Sequence, residues 1–342
     1  MPSSRRKTAW RDAVAGSAIR AARLAVVALA FAALGALGSP ARAEQPARGF
    51  AVERLYPSAP GGGWVVMDAL DMRGGLGGVM AFTVGYAGRP LRVSDGSQQL
   101  SVVSDEAFVD LGFAVTWERW RFYLDLDVPL AIFGQSGVAG GYQFTGPSVD
   151  LGSRPDTIFD PRLGVDVRIV GRPGGYFRLG AGAQLFVPSG DRADYDTDGT
   201  VRAAVRALFA GDASWFTWAA QLGVHIRPLD DSPAPGSPKG SEALFGVAAG
   251  ARLPLGAGRP WALIVGPEIF GATALRSPFG GDATALEGLL SARVEGTRDS
   301  GLQLRVKLGA GGGLPARFGA PEWRIVAGIE VFTHGGAAAP AR

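Results

Sequence analysis

The stretch RLGVDVRIVGRPGGYFRLGAGAQLFVPSGD, residues 162–191, constrains the fold more than any other in the chain. Leu163, Val165, Val167 and Ile169 alternate with Arg162, Gly164, Asp166 and Arg168; after a GRPGG turn, Leu179, Ala181, Ala183 and Leu185 alternate with Arg178, Gly180, Gly182 and Gln184. Period-two alternation on both sides of a short Gly/Pro turn reads as a β-hairpin. One face is wholly apolar and the other carries arginines and an aspartate among glycines, with almost no Lys, Thr or Ser. A soluble sandwich would turn such a polar face to water. A barrel in a membrane would turn the apolar face to lipid, where a charge at mid-depth costs about 2–4 kcal/mol, and would fill its interior with paired charges and small residues.

The rest of the chain repeats this signal. Segments near 49–57, 64–73, 77–88, 102–116, 120–133, 157–170, 176–187, 200–210, 215–227, 242–254, 261–273, 283–295, 302–310 and 323–333 read as strands. Such lengths suit tilted strands crossing a bilayer. Short connections (117–120, 171–175, 211–214, 256–259, 296–301) alternate with long ones (134–154, 189–200, 228–240, 273–282, 311–321). Trp117, Trp120, Tyr176, Phe177, Trp215, Trp218 and Trp261 gather at the short turns, as rings do at a membrane–water interface. The predicted fold is all-β: a transmembrane antiparallel barrel of about fourteen strands, twelve being possible, with short periplasmic turns, longer extracellular loops and both termini periplasmic.

The first 43 residues read as a secretory signal peptide: a basic start (Arg5, Arg6, Lys7, Arg11), an apolar run Leu24–Leu37 and a small-residue site at Ala41–Ala43. Residues 44–334 are then the barrel and 335–342 a disordered tail. The leader holds 7 of the 34 Lys and Arg and 1 of the 31 Asp and Glu, leaving 27 basic against 30 acidic residues, so no basic surface argues for nucleic acid. With no cysteine, an exported chain must hold together by strand pairing and burial.

If the apolar faces meet lipid, the lumen is lined by Arg121, Asp125, Asp127, Arg162, Asp166, Arg168, Arg178, Arg202, Arg206, His225, Arg227, Glu268, Glu287, Arg293, Arg305, Arg324 and Glu330. Their signs nearly balance, which suits either a weakly selective pore or an ion-paired, closed interior.

The stretches GFAVERLYPSAPGGGWVVMDALDMRG, GAQLFVPSGDRADYDTDGTVRAAVR, GSPKGSEALFGVAAGARL, VGPEIFGATAL and GAGGGLPARFGAPEWRIVAGIE, spread from Gly49 to Glu330, resemble the barrel module of OmpA-like outer-membrane proteins of Gram-negative bacteria. In longer members an Asp-rich calcium-binding repeat and a peptidoglycan-binding domain follow; this sequence carries neither. The resemblance implies the outer membrane as location, its lipid as surroundings, and periplasmic chaperones and the barrel assembly machinery as partners.

Local motifs are few. DYDTDG places Asp194, Asp196 and Asp198 like the first half of a calcium loop, but Val205 stands where the bidentate glutamate belongs, so a solvated acidic loop is the expected reading and no metal is assigned. His225 and His334 are the only histidines, no serine motif accompanies them, and no cofactor motif is present. The sequence therefore predicts a monomeric, non-enzymatic barrel passing small solutes or ions through a charged lumen. The alternative is a structural or surface-binding barrel with a closed lumen, whose long loops meet an external partner.

Overall fold

The computed structural model describes residues 45–96, 98–152, 158–229, 240–256, 261–281, 283–297, 302–314 and 319–333. The expected signal peptide, His334 and the expected tail lie outside the described residues. Twelve strands form the wall: β1 (Leu76–Ser94), β2 (Gln99–Trp117), β3 (Trp120–Phe133), β4 (Arg162–Val170), β5 (Arg178–Phe186), β6 (Arg202–Ala213), β7 (Phe216–Ile226), β8 (Glu242–Pro254), β9 (Trp261–Ala274), β10 (Thr284–Thr297), β11 (Leu302–Gly313) and β12 (Trp323–Thr333). Each pairs antiparallel with the next, and β12 returns to β1 in register from Trp323↔Gly88 to Phe332↔Val79, closing the barrel. Closure leaves no free edge running the height of the wall.

The opening hairpin forms as β4 and β5, with Leu163↔Leu185, Asp166↔Gly182 and Arg168↔Gly180 opposite one another. Its polar face is buried and Leu163, Ile169 and Leu185 are exposed, so the apolar face looks outward. The same holds around the wall, where Met80, Phe113, Phe122, Val205, Leu222, Val247, Leu290 and Ile325 stand exposed. Trp117, Trp120, Tyr176 and Trp215 are exposed beside the short turns. Glycines on the inner face make room for large neighbours: the Tyr123 ring lies where a Cβ at Gly164 would be, and the Asp166 carboxylate where one at Gly182 would be.

Of the about fourteen strands expected, twelve being possible, the wall has twelve. Residues 49–57 and 64–73, read as the first two strands, are not in the wall. They belong to a segment, 47–73, that runs through the lumen. Phe50, Val52, Leu55, Trp64, Met67 and Leu70 are buried there, the residues on either side of them mostly buried as well. Pro57, Pro60 and Gly61–Gly63 break any ladder. The segment instead turns on itself through Gly62 N–H to Ala59 O (2.7 Å), Ser58 N–H to Val65 O (2.8 Å) and Ala69 N–H to Gly62 O (2.7 Å).

The N-terminus, expected on the short-turn side, lies outside the described residues. The described chain starts at the long-loop end, where Gln45–Pro46 pairs in parallel with Tyr142–Gln143. It leaves the lumen at the short-turn end, where Gly75 O accepts from Glu118 N–H and β1 begins. β12 also ends there, the Thr333 hydroxyl accepting from Gly78 N–H. Toward the long-loop end β1 and β2, 19 residues each, form a hairpin taller than the pattern predicted. Leu91, Val93, Val102 and Val103 from it pack with Ala139, Phe144 and Val149 of the excursion after β3. β3 pairs with β4 only from Trp120 to Asp125; above that its edge is met by Ser148–Asp150 and by the Phe159 N–H on Asp127 O.

Candidate functional site

The inward face of an alternating strand is where this sequence places its charges, and all of the lumen residues named above are buried except Asp127, which is half-buried. Most are spent on neutralising one another and on holding the lumen segment. Arg121 reaches both Asp68 of the segment and Asp166 of β4 (2.6 Å to Asp166). Arg324 joins Glu53 (2.8 Å) to Glu287 (3.0 Å), and Glu242 joins Arg54 (3.0 Å) to Arg227 (2.8 Å). Glu330 holds Arg305 (2.6 Å) and Lys307 (2.7 Å), and Lys307 also donates to Trp64 O (3.2 Å). Arg162 pairs with Asp125 (2.8 Å) and donates to Pro57 O (2.9 Å). Arg202 pairs with Asp160 (2.9 Å), and Arg206 with Asp166 (3.2 Å). Arg178 pairs with Asp212 (2.7 Å) at the short-turn end.

Backbone is held as firmly as side chains. The Glu268 carboxylate accepts from three successive N–H groups, Val65 (2.8 Å), Val66 (2.9 Å) and Met67 (3.1 Å). An irregular buried segment needs such partners, because it has no ladder of its own. The Arg293 guanidinium lies 4.6 Å from the centre of the Trp64 ring. His225 is packed between Tyr56 and Phe186, with Glu242 3.8 Å from Nδ1. Arg168 is buried with Nε and one terminal nitrogen unpartnered.

The Asp194–Asp198 motif does not wrap a common point. Residues 192–194 form one 3-10 turn, and Asp198 accepts from Ala51 N–H (2.9 Å) and Arg227 (2.6 Å). Burial alone would raise the Asp198 pKa, but Arg227 overrides it and holds the carboxyl well below the usual carboxylate range. Asp196 is pushed up to about 8 by burial, with Asp194 and Asp160 adding to the effect. Among the described residues no three acidic or imidazole groups converge closely enough to hold a metal ion.

Among the described residues, two narrow cavities of about 30 Å³ each lie between segment and wall. A wider vestibule of about 660 Å³ opens at the short-turn end beside Asp71, Arg73, Arg172, Asp212 and Arg252. Eight strands already enclose just enough room for side chains, so twelve leave space that here is taken by backbone.

Among solved structures, an outer membrane channel from Pseudomonas putida F1 is similar over 76% of this chain and 95% of its own, at 14% identity and a TM-score of 0.50. The fold is that of an outer-membrane β-barrel. Looser likenesses, too low to argue from, join the chain to the monoaromatic hydrocarbon channel CymD (10% identity, 78% and 90% covered, TM-score 0.37) and to the P. putida toluene transporter TodX (11%, 82% and 98%, 0.33). No protein-family profile matches the sequence, and no curated protein is significantly similar to it.

Several residues that build this interior escaped the sequence reading: Glu53, Arg54, Tyr56 and Asp68 of the segment, and Glu106, Asp110, Asp160 and Glu242 facing it. The first four sit in what scanned as strands. Glu106 and Asp110 were legible, since SDEAFVDLGF alternates with both acids on one face.

Proposed function

We propose that the protein is an outer-membrane channel whose passage is closed, in the state described, by its own segment 47–73. The observation that carries this reading is that the lumen is occupied by a segment of chain held by hydrogen bonds and ion pairs to the inward side chains of the wall. Every contact of the segment with the wall is a hydrogen bond, ion pair or side-chain packing, with no strand ladder to break. The short-turn end is then periplasmic and the long-loop end extracellular, outer-membrane lipid surrounds the apolar belt, and assembly relies on periplasmic chaperones and the barrel machinery, as a monomer.

The filled lumen also favours a second reading, a closed barrel of the OmpA-like kind whose packed long-loop excursion meets an external partner. Conductance separates the two. The chain has no cysteine, so Val65→Cys with Gly309→Cys, where a Cβ at Gly309 lies 3.3 Å from a Val65 methyl, would tie the segment to the wall. The channel reading expects discrete conductance steps in planar bilayers that vanish when this pair is oxidised and return on reduction. Silence in both redox states, from protein that is folded by its heat-dependent gel shift, would establish the closed barrel.

A further inference from the structure

Toward the long-loop end, one of the two narrow cavities is walled by five carboxylates: Glu53, Glu106, Asp127, Asp160 and Asp196. Two of them are neutralised. Glu53 takes both terminal nitrogens of Arg324 (2.8 and 2.9 Å), and Asp160 takes Arg202 (2.9 Å), which is also the lone cation among the lining residues described. The other three take no guanidinium among the described residues. Glu106 and Asp196 are each 3% exposed, and one oxygen of Glu106, one of Asp127 and both of Asp196 lack a well-formed hydrogen bond there, Glu106 lying beside Glu53 and Asp127 beside Asp110. The nearest guanidiniums are committed elsewhere: Arg324 is shared between Glu53 and Glu287, and Arg162 is on Asp125. Asp127 also faces Asp110 directly across the β2–β3 ladder, a like-charge pairing that is destabilising unless something compensates it. Burying unpaired carboxylates is costly, so this corner of the interior has the chemistry of a cation receptor.

The geometry narrows the guest. A bare metal ion needs ligands converging on a point, and among the described residues no such convergence occurs. Here the carboxylates are spread around a space of about 30 Å³, with Phe108 and Phe159 between them. That volume admits one or two water-sized groups. An alkylammonium head has this size, brings three N–H donors for the three carboxyl groups that no guanidinium takes, and sits well against aromatic faces.

We propose that the cavity between segment and wall is a binding site for the ammonium head of a small amine, held by Glu106, Asp127 and Asp196. The site goes beyond the channel reading, since binding requires no conduction. The test uses the folded full-length mature barrel in detergent and follows the temperature at which the folded gel band converts to the unfolded one. Sodium chloride, methylammonium chloride and calcium chloride are compared at equal ionic strength. Methylammonium is expected to raise the midpoint by several degrees over sodium. Glu106→Gln with Asp196→Asn should weaken the apparent affinity about tenfold or more, whereas the exposed Asp150→Asn should leave it unchanged. If the double variant does not fold, Asp196→Asn alone, in a loop outside the wall, carries the comparison. Equal midpoints in methylammonium and sodium would overturn the proposal, leaving protons as the compensation. So would an equal loss in Asp150→Asn, or a midpoint raised by calcium and not by methylammonium, which would assign a metal ion instead.

Discussion

Arg121 and Leu222 sit on opposite faces of the same wall, and their substitution costs have different origins. Arg121 is 1% exposed and bridges Asp68 to Asp166, so Arg121→Ala leaves two buried carboxylates facing each other; a loss of about 3–5 kcal/mol is expected. Leu222, mid-strand in β7 and 59% exposed, meets lipid, so Leu222→Arg is expected to cost about 2–4 kcal/mol. Arg168→Ala, which removes a guanidinium with two unpartnered nitrogens, should cost less than about 1 kcal/mol. Urea unfolding of the three variants in detergent checks the order; equal tolerance of Leu222→Arg and Arg168→Ala would refute the assignment of faces. Asp196 adds a pH dependence. Its pKa in the folded chain is about 8, above the ordinary 3.8, so the fold binds the proton more tightly than the unfolded chain does. Its contribution is therefore fully present below the unfolded value and lost as pH rises through about 8. Asp198 runs the other way: its depressed pKa stabilises the fold above 3.8 and is lost on acidification. Asp196→Asn should flatten the alkaline limb of the stability profile and leave the acidic one.

At the scale of elements, the lumen segment depends on a few strong anchors. Glu268→Ala would orphan three buried N–H groups at once, each bond to a charged acceptor being worth about 1.5–3 kcal/mol. Trypsin cleavage after Arg54, slow in the native chain because Arg54 is buried, should quicken by about tenfold or more in that variant while the wall stays resistant. The twelve wall strands were legible because half of each faces lipid and half faces charge, which writes period two directly into residues such as 162–170 and 178–186. Residues 49–73 misled because they are apolar for a different reason. Phe50, Leu55, Trp64 and Met67 are surrounded on all sides, so their spacing obeys no period, yet their density passes for that of a strand. Nothing local distinguishes an apolar segment that lies beside other strands from one that lies inside them. The charged partners of the segment were legible as inward-facing but not in what they do, because their roles depend on that same placement.

For the molecule as a whole, the balance of lumen charges now has a physical meaning: positive and negative groups alternate between wall and segment, so the two are stitched together at several heights. The closed wall and the route of the segment also raise a matter of topology. The segment passes from the long-loop end to the short-turn end and continues directly into β1, the strand onto which β12 closes. It is a cord through a sleeve, continuous with the wall at one end and held at the other by the pairing of Gln45–Pro46 with Tyr142–Gln143. A cord of this kind can be drawn out in only one direction, toward the end that continues into the wall, and only if nothing carried on the other end is wider than the bore. A compact folded tag placed just ahead of Gln45 would act as a stopper. If it were added there after the barrel had closed, for example by enzymatic ligation, withdrawal would be blocked with every native contact intact. Such a capped channel should stay silent under the same reducing conditions in which the uncapped protein conducts.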